Sequence, residues 1–189
     1  RAKSPVICAG GGVISANASS QLKKLVEKCS IPLTTTLMGK GIVDSYCELN
    51  MGMVGSHGNK PANIAVNNAD LLMIIGARVG DRAIASTKKI AQKAEIIHID
   101  IDPAEIGKNI DVSIPIVGDV RLVLEELLDI VEKGDTDQWV EKLKDEKEKV
   151  RQETAEIEPN GLVSPKYLLQ ILSGMIDGNT IITTEVGQN

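Results

Sequence analysis

Four short groups of residues are of a type and spacing that could hold a nucleotide. The run Gly10-Gly11-Gly12 follows the apolar stretch Val6-Ile7-Cys8-Ala9. Glycines between a strand and a helix let a phosphate approach the backbone and the helix N-terminus. Gly76-Ala77-Arg78 ends a second apolar stretch, residues 71–75. Its small residues leave room for a flat ligand, and Arg78 can pair with a phosphate. Asp100 and Asp102 stand at the tip of a third stretch, residues 96–101, where a carboxylate can accept hydrogen bonds from a ribose or ribityl hydroxyl. Gly118-Asp119 closes a fourth. Each group has a plainer reading. The glycines make a tight turn, the aspartates cap the turns that follow them, and Arg78 joins a surface salt bridge in a loop that also holds Asp81-Arg82.

Groups able to carry out chemistry are sparse. His57 lies among glycines in Gly52-Met53-Val54-Gly55-Ser56-His57-Gly58, a setting that suits a packed or capping residue, and His98 falls inside a strand pattern. No Ser or Cys is grouped with a His and an acid, and no metal-ligand spacing is present. The glycine run departs from G-x-G-x-x-G because Ser15 takes the last position. The acid expected some 20 residues further on is replaced by Thr34-Thr35-Thr36, which argues against a free-standing NAD(P)-binding protein.

The elements that must position these groups alternate. Strands are expected over residues 6–9, 32–36, 71–75, 95–101 and 113–117, the apolar ones reading as fully buried parallel strands. Helices are expected over residues 16–29, capped by Ser15 or Asn17, over 61–68 with Pro61 in the first turn, weakly over 84–92, and over 119–133 with Asp119 as N-cap. Residues 52–58 are too broken by glycine for a regular element, and residues 103–108 form a turn or short helix. Strand-helix alternation predicts an α/β, Rossmann-like three-layer domain with a parallel sheet of about six strands. Aromatics are 2% of the 189 residues with no Phe, so the core must be aliphatic.

Past Gly134 the character changes. Residues 139–157 are dense in Lys and Glu and predict a solvated helix. A further helix is expected over 162–173 from the Ser164-Pro165 cap, and a strand over 180–184. The expected division is a nucleotide-binding domain over 1–134, a charged helical linker over 135–161 and the start of a second domain over 162–189. Both ends read as cut from a larger protein. A net charge of −5 with scattered Lys and Arg excludes a nucleic-acid surface. The three cysteines, Cys8, Cys29 and Cys47, are unpaired in pattern and predict a reducing, cytoplasmic compartment. No apolar run reaches the ~18 residues of a membrane helix.

The ordered set resembles the central domain of the thiamine-diphosphate-dependent enzymes, and within that family the large catalytic subunits of the acetolactate synthases. The residues that carry the likeness are Ala9-Gly10-Gly11-Gly12, Thr34-Thr35-Thr36-Leu37-Met38-Gly39-Lys40-Gly41, Gly52 to Gly58, Asn67-Asn68-Ala69-Asp70, Gly76-Ala77-Arg78 with Asp81-Arg82, Ile97 to Pro103, and Gly118-Asp119. The tail Thr183-Thr184-Glu185-Val186-Gly187-Gln188-Asn189 resembles the first strand and loop of that family's cofactor domain. The pattern departs from the family at Ser56 and at Val79-Gly80.

The resemblance implies that FAD lies along Gly10, Gly11, Gly12, Thr36, Leu37, Met38, His57, Gly58, Gly76, Ala77, Arg78, Asp100, Ile101, Gly118 and Asp119, and does no net redox chemistry. It implies that Arg82 reaches toward a substrate channel and that Val186, Gly187, Gln188 and Asn189 touch thiamine diphosphate. It further implies a homodimeric or tetrameric enzyme, with a possible small regulatory subunit, that condenses two 2-ketoacids with loss of CO2 in branched-chain amino acid synthesis. The activating glutamate and the Mg2+ motif of that family fall outside this chain, which implies no synthase activity by itself. The alternative is a nucleotide-binding or structural middle domain in a related thiamine enzyme, of the glyoxylate carboligase or sulphoacetaldehyde acetyltransferase type.

Overall fold

The computed structural model describes residues 2–80, 94–153, 161–177 and 179–183. The chain divides into two compact units, Arg1–Glu148 and Lys149–Asn189.

The first unit is built on a six-stranded sheet. Its strands are β1 (Pro5–Ala9), β2 (Leu33–Thr35), β3 (Asn50–Met53), β4 (Leu71–Ile75), β5 (Glu95–Asp100) and β6 (Ile114–Val117). Every pairing is parallel, and the spatial order is β3-β2-β1-β4-β5-β6. Ile7 lies opposite both Leu33 and Met73, and Met73 opposite Ile97, so the apolar runs stack in one band across the sheet.

Two faces follow from the two-residue period of a strand. Val6, Cys8, Leu72, Ile74 and Ile96 point to one side. There they meet Ala62, Ala65 and Val66 of α3 (Lys60–Asn67) and Trp139 and Leu143 of α5 (Asp137–Gln152). Ile7, Ala9, Met73, Ile75 and Ile99 point to the other. That layer holds Val13 of α1 (Gly11–Ser15), Leu22, Leu25 and Val26 of α2 (Ser19–Cys29), and Val120 and Leu124 of α4 (Val120–Ile130). Each such aliphatic side chain, once fully buried, contributes about 1.5–3 kcal/mol before the entropy of ordering is set against it.

Four details differ from the sequence expectation. The glycine-broken stretch includes β3, because Gly52 at φ +93° bends an edge strand that still pairs with β2 across a register shift at Leu33/Thr34. The helix expected over residues 16–29 is α2, which starts only at Ser19 with Ala18 rather than Ser15 or Asn17 as its N-cap, and Asn17 at φ +51° separates it from the short α1 that precedes the expected range. The helix expected to be solvated over 139–157 is α5, and it buries Trp139, Val140 and Leu143. Its apolar positions recur at helical spacing beneath the charge, and Trp139 Nε1–H donates to the Pro5 carbonyl at 3.1 Å. Residues 180–183 form no strand. A ladder requires a neighbouring strand, and none faces them among the described residues. The weak helix expected over 84–92 lies outside the described residues.

In the second unit α6 (Pro165–Met175) starts at Ser164 with Pro165 in its first turn. Asp177 Oδ1 closes the turn after it by accepting from the Asn179 N–H and the Thr180 hydroxyl. No helix among the described residues is long and apolar enough to cross a membrane.

Candidate functional site

In a sheet of this order the chain leaves β1 toward β2 and returns on the other side at β4. The crevice between the carboxyl ends of β1 and β4 is therefore the topological switch point, where open α/β sheets bind ligands. Gly10, Gly11 and Gly12 follow β1, while Gly76, Ala77 and Arg78 follow β4, one group on each side of it.

These two loops are joined by backbone bonds. The Gly10 N–H donates to the Ile75 carbonyl at 2.9 Å, Gly12 to Gly76 at 2.9 Å, and Gly76 to Ile99 of β5 at 2.8 Å. Gly76 is left-handed at φ +55°, and a Cβ there would sit 2.9 Å from the Gly12 Cα. A Cβ on Gly10 would sit 2.5 Å from the Ala77 Cα. Loop-to-loop contact thus accounts for Gly10, Gly12 and Gly76 without a ligand. Gly11 differs, because its nearest neighbour across the gap is the side chain of Met38, at 3.1 Å from a Cβ built there.

The other expected residues stand along the same edge. Thr36 follows β2, its N–H bonded to the Ala9 carbonyl at 2.9 Å, and opens a 3-10 turn over Leu37–Gly39 that leaves Leu37 and Met38 68% and 74% exposed. His57 and Gly58 lie in the loop after β3, with His57 at the surface. Asp100 ends β5 and Ile101 beside it is exposed. Gly118 follows β6, its N–H bonded to the Asp100 carbonyl at 3.0 Å.

The capping readings of the aspartates are realised. Asp119 Oδ1 accepts from the Arg121 and Leu122 N–H groups at 2.9 and 3.2 Å, and makes the N-cap of α4. Asp100 Oδ1 accepts from the Asp102 N–H at 3.0 Å, and Asp102 Oδ1 from the Ala104 N–H at 2.9 Å. The fold thus brings all the described candidates to one edge. With roughly 4.8 Å between strands, the β3 and β6 loops stand about 24 Å apart, so a ligand touching both must be extended. Arg82, Val186, Gly187, Gln188 and Asn189 lie outside the described residues.

Three residues support this edge; of these the sequence places His98 inside a strand without a supporting role, and gives no sign of the other two. His98 of β5 is fully buried, with Nε2 3.2 Å from the Ala77 carbonyl, and burial holds its imidazole below the usual histidine value. Asn109 Nδ2 donates to the Val79 carbonyl at 2.7 Å. Asn63 of α3 bonds both the N–H and the carbonyl of Gly55 at 3.0 Å, which anchors the loop carrying His57. A lone polar residue in an otherwise apolar strand was the available signal for His98. The two asparagines gave none, because their partners are backbone atoms remote in sequence.

Among the described residues the titratable groups form no nucleophilic centre. Cys8 is 4% exposed, and burial pushes its thiol up to about 11, against a smaller opposing effect of the Thr34 hydroxyl. Among the described residues no three His, Cys, Asp or Glu side chains gather as a metal set. A shallow cleft does occur at the opposite, amino end of β2, between Ser30, Leu49 and Val140. The Lys144–Glu48 ion pair lies in its wall at 2.6 Å.

A six-stranded parallel sheet of this order, with its switch point between β1 and β4, defines a Rossmann-like α/β domain. Residues 1–127 match the family described as thiamine pyrophosphate enzyme, central domain. The chain belongs to that family. It is 44% identical to the probable acetolactate synthase large subunit of Methanococcus aeolicus, over all of this chain and 34% of that protein. It is 47% identical to the probable acetolactate synthase large subunit of Methanocaldococcus jannaschii, over 98% of this chain and 32% of that one. It is also 42% identical to the acetolactate synthase large subunit of Corynebacterium glutamicum, over 100% and 31%. The chain spans about a third of the length of these curated relatives.

Proposed function

We propose that this chain is the FAD-binding middle domain of an acetolactate synthase large subunit and has no synthase activity by itself. Similarity to proteins of that name along the whole chain, at 42–47% identity, is the observation that carries the reading. In the whole protein two 2-ketoacids, pyruvate with pyruvate or 2-ketobutyrate, condense with loss of CO2. Thiamine diphosphate and Mg2+ then sit mainly on parts of the subunit outside this chain, with Val186, Gly187, Gln188 and Asn189 at the thiamine cofactor and Arg82 toward the substrate. The assembly is a homodimer or tetramer in the cytoplasm, open to a small regulatory subunit.

The donor set along the strand tips suits FAD. Leu37, Met38 and Ile101 offer exposed apolar surface against which a flat ring can lie. Arg78 is an exposed guanidinium beside the switch point, matched to a diphosphate. Asp100 is a strand-tip carboxylate suited to a ribityl or ribose hydroxyl. His57-Gly58 and Gly118-Asp119 mark the two ends of an extended site. FAD, when bound, supplies bulk and a planar ring and no net electron transfer, so the work of these residues is to bind and orient it.

The test is a titration of the purified chain with FAD, followed by quenching of flavin fluorescence, with ADP as competitor. Saturable quenching is expected, weakened about tenfold or more by Arg78→Ala or Asp100→Ala, the usual cost of a lost charge-assisted hydrogen bond. Preference for ADP over FAD, or affinity untouched by both substitutions, overturns the assignment and favours another thiamine enzyme.

A further inference from the structure

We propose that His98 and Asn109 are positioning residues that together present Arg78 to the switch-point crevice. Arg78 itself is exposed, yet the carbonyls on both sides of it are held by side-chain N–H groups from the layer below. His98 Nε2 meets the Ala77 carbonyl at 3.2 Å and Asn109 Nδ2 meets the Val79 carbonyl at 2.7 Å. A carbonyl only accepts, so His98 carries its hydrogen on Nε2 and Asn109 presents its amide nitrogen. Gly76, one residue further back, is fixed by Ile99 and Gly12 through its own N–H and carbonyl. The segment is therefore pinned at residues 76, 77 and 79, and Arg78 is the one side chain of the four that reaches solvent.

The chemistry of β5 makes this more than incidental packing. His98 stands among Ile96, Ile97 and Ile99 and is fully buried, and its Nδ1 has no hydrogen-bond partner among the described residues. A bare buried ring nitrogen costs stability that an aliphatic side chain at the same place would not. What the imidazole gives in return is the bond to Ala77. Ala77 and Val79 are both packed into the core layer of α3 and α5, so the loop is drawn down onto that face and the residue between them is turned outward. Fixing an arginine backbone from beneath lowers the entropy lost when its guanidinium engages an anion. The effect on flavin affinity rests on the function proposed above, whereas the loop geometry does not.

The experiment uses the full chain in two readouts. Amide hydrogen exchange of residues 76–80, measured without ligand, is expected to speed up about tenfold or more in His98→Leu and in Asn109→Ala while β1 and β4 stay protected, and His98→Gln is expected to restore protection. Flavin affinity is expected to fall about tenfold in His98→Leu, and by less than about twofold when the same change is made on an Arg78→Ala background, because the two act through one contact. Should His98→Leu fail to fold, Asn109→Ala carries both readouts. Unchanged exchange at residues 76–80, or faster exchange spread evenly over the sheet, overturns the proposal. If no variant binds FAD, the flavin reading fails and the exchange result still decides the positioning role.

Discussion

The Gly12 N–H donates to the Gly76 carbonyl at 2.9 Å, and a Cβ on either residue would collide with the backbone of the other. The turns after β1 and β4 are consequently one joined structure, held together by their own backbone bonds.

The joined turns predict graded costs for adding a methyl group. Gly10→Ala overlaps Gly76 and Ala77 backbone that cannot yield, and is expected to destabilise by about 3 kcal/mol or more. Gly76→Ala adds a left-handed penalty of about 1–2 kcal/mol to its own overlap with Gly12. Gly11→Ala meets the Met38 Cβ at 3.1 Å and the Met38 carbonyl oxygen at 3.3 Å, looser contacts than at the other two positions, and should cost about 1 kcal/mol. Urea unfolding of the three variants checks the order.

Trp139 predicts that α5 is integral to the sheet. It is 7% exposed, donates to the Pro5 carbonyl, and carries the Lys142 ammonium 5.8 Å from its ring centre. Trp139→Ala is expected to cost about 3–5 kcal/mol, against roughly 0.5 kcal/mol or less for replacing exposed Glu141 or Lys142 on the same helix. Equal, small effects in thermal melts would contradict this.

Much of the fold was legible because parallel strands buried on both faces read as unbroken apolar runs, as in residues 71–75 and 96–99. β3 was not, since an edge strand can keep its ladder with Gly52 in a left-handed bend. Nor was the anchoring half of α5, because its three apolar side chains are outnumbered by Lys and Glu that coat the exposed face. At the candidate site, residue types announced the strand tips. The supporting bonds from His98, Asn109 and Asn63 depend on which backbone carbonyls the tertiary fold brings near, and no local pattern encodes that.

Asp119 gives a cap prediction. Asp119→Ala removes the acceptor for two N–H groups of α4 and should cost about 1 kcal/mol, with Asp119→Asn retaining most of it. Thermal melts of both variants test it. If the residue also contacts ligand, flavin affinity falls in the alanine variant beyond what the melting shift explains.

Buried His98 sets a pH dependence. Desolvation lowers its pKa in the folded chain from the ordinary 6.5, with the Ala77 carbonyl, Asp100 and Glu105 opposing. Below pH 6.5 the unfolded chain binds a proton that the folded chain resists, so stability is complete above that value and falls as pH drops through it. The slope from one group is at most about 1.4 kcal/mol per pH unit. It should be absent in His98→Gln when unfolding is followed from pH 7.5 to 5.

Thiol accessibility should separate the cysteines. Cys47 is half-buried, while Cys8 and Cys29 are buried and held above the ordinary thiol value. Iodoacetamide at pH 8 should label Cys47 first and Cys8 last, as peptide mass mapping over time would show.

Flavin bound along the carboxyl edge of the sheet would register in amide chemical-shift mapping of the labelled chain during FAD addition. The expected result is a set of shifts confined to Gly10, Gly11, Gly12, Leu37, Met38, Gly76, Ala77, Arg78, Asp100, Ile101 and Gly118. Shifts centred on Ser30, Glu48 and Glu141 at the opposite end of the sheet, or none at saturating FAD, would contradict it.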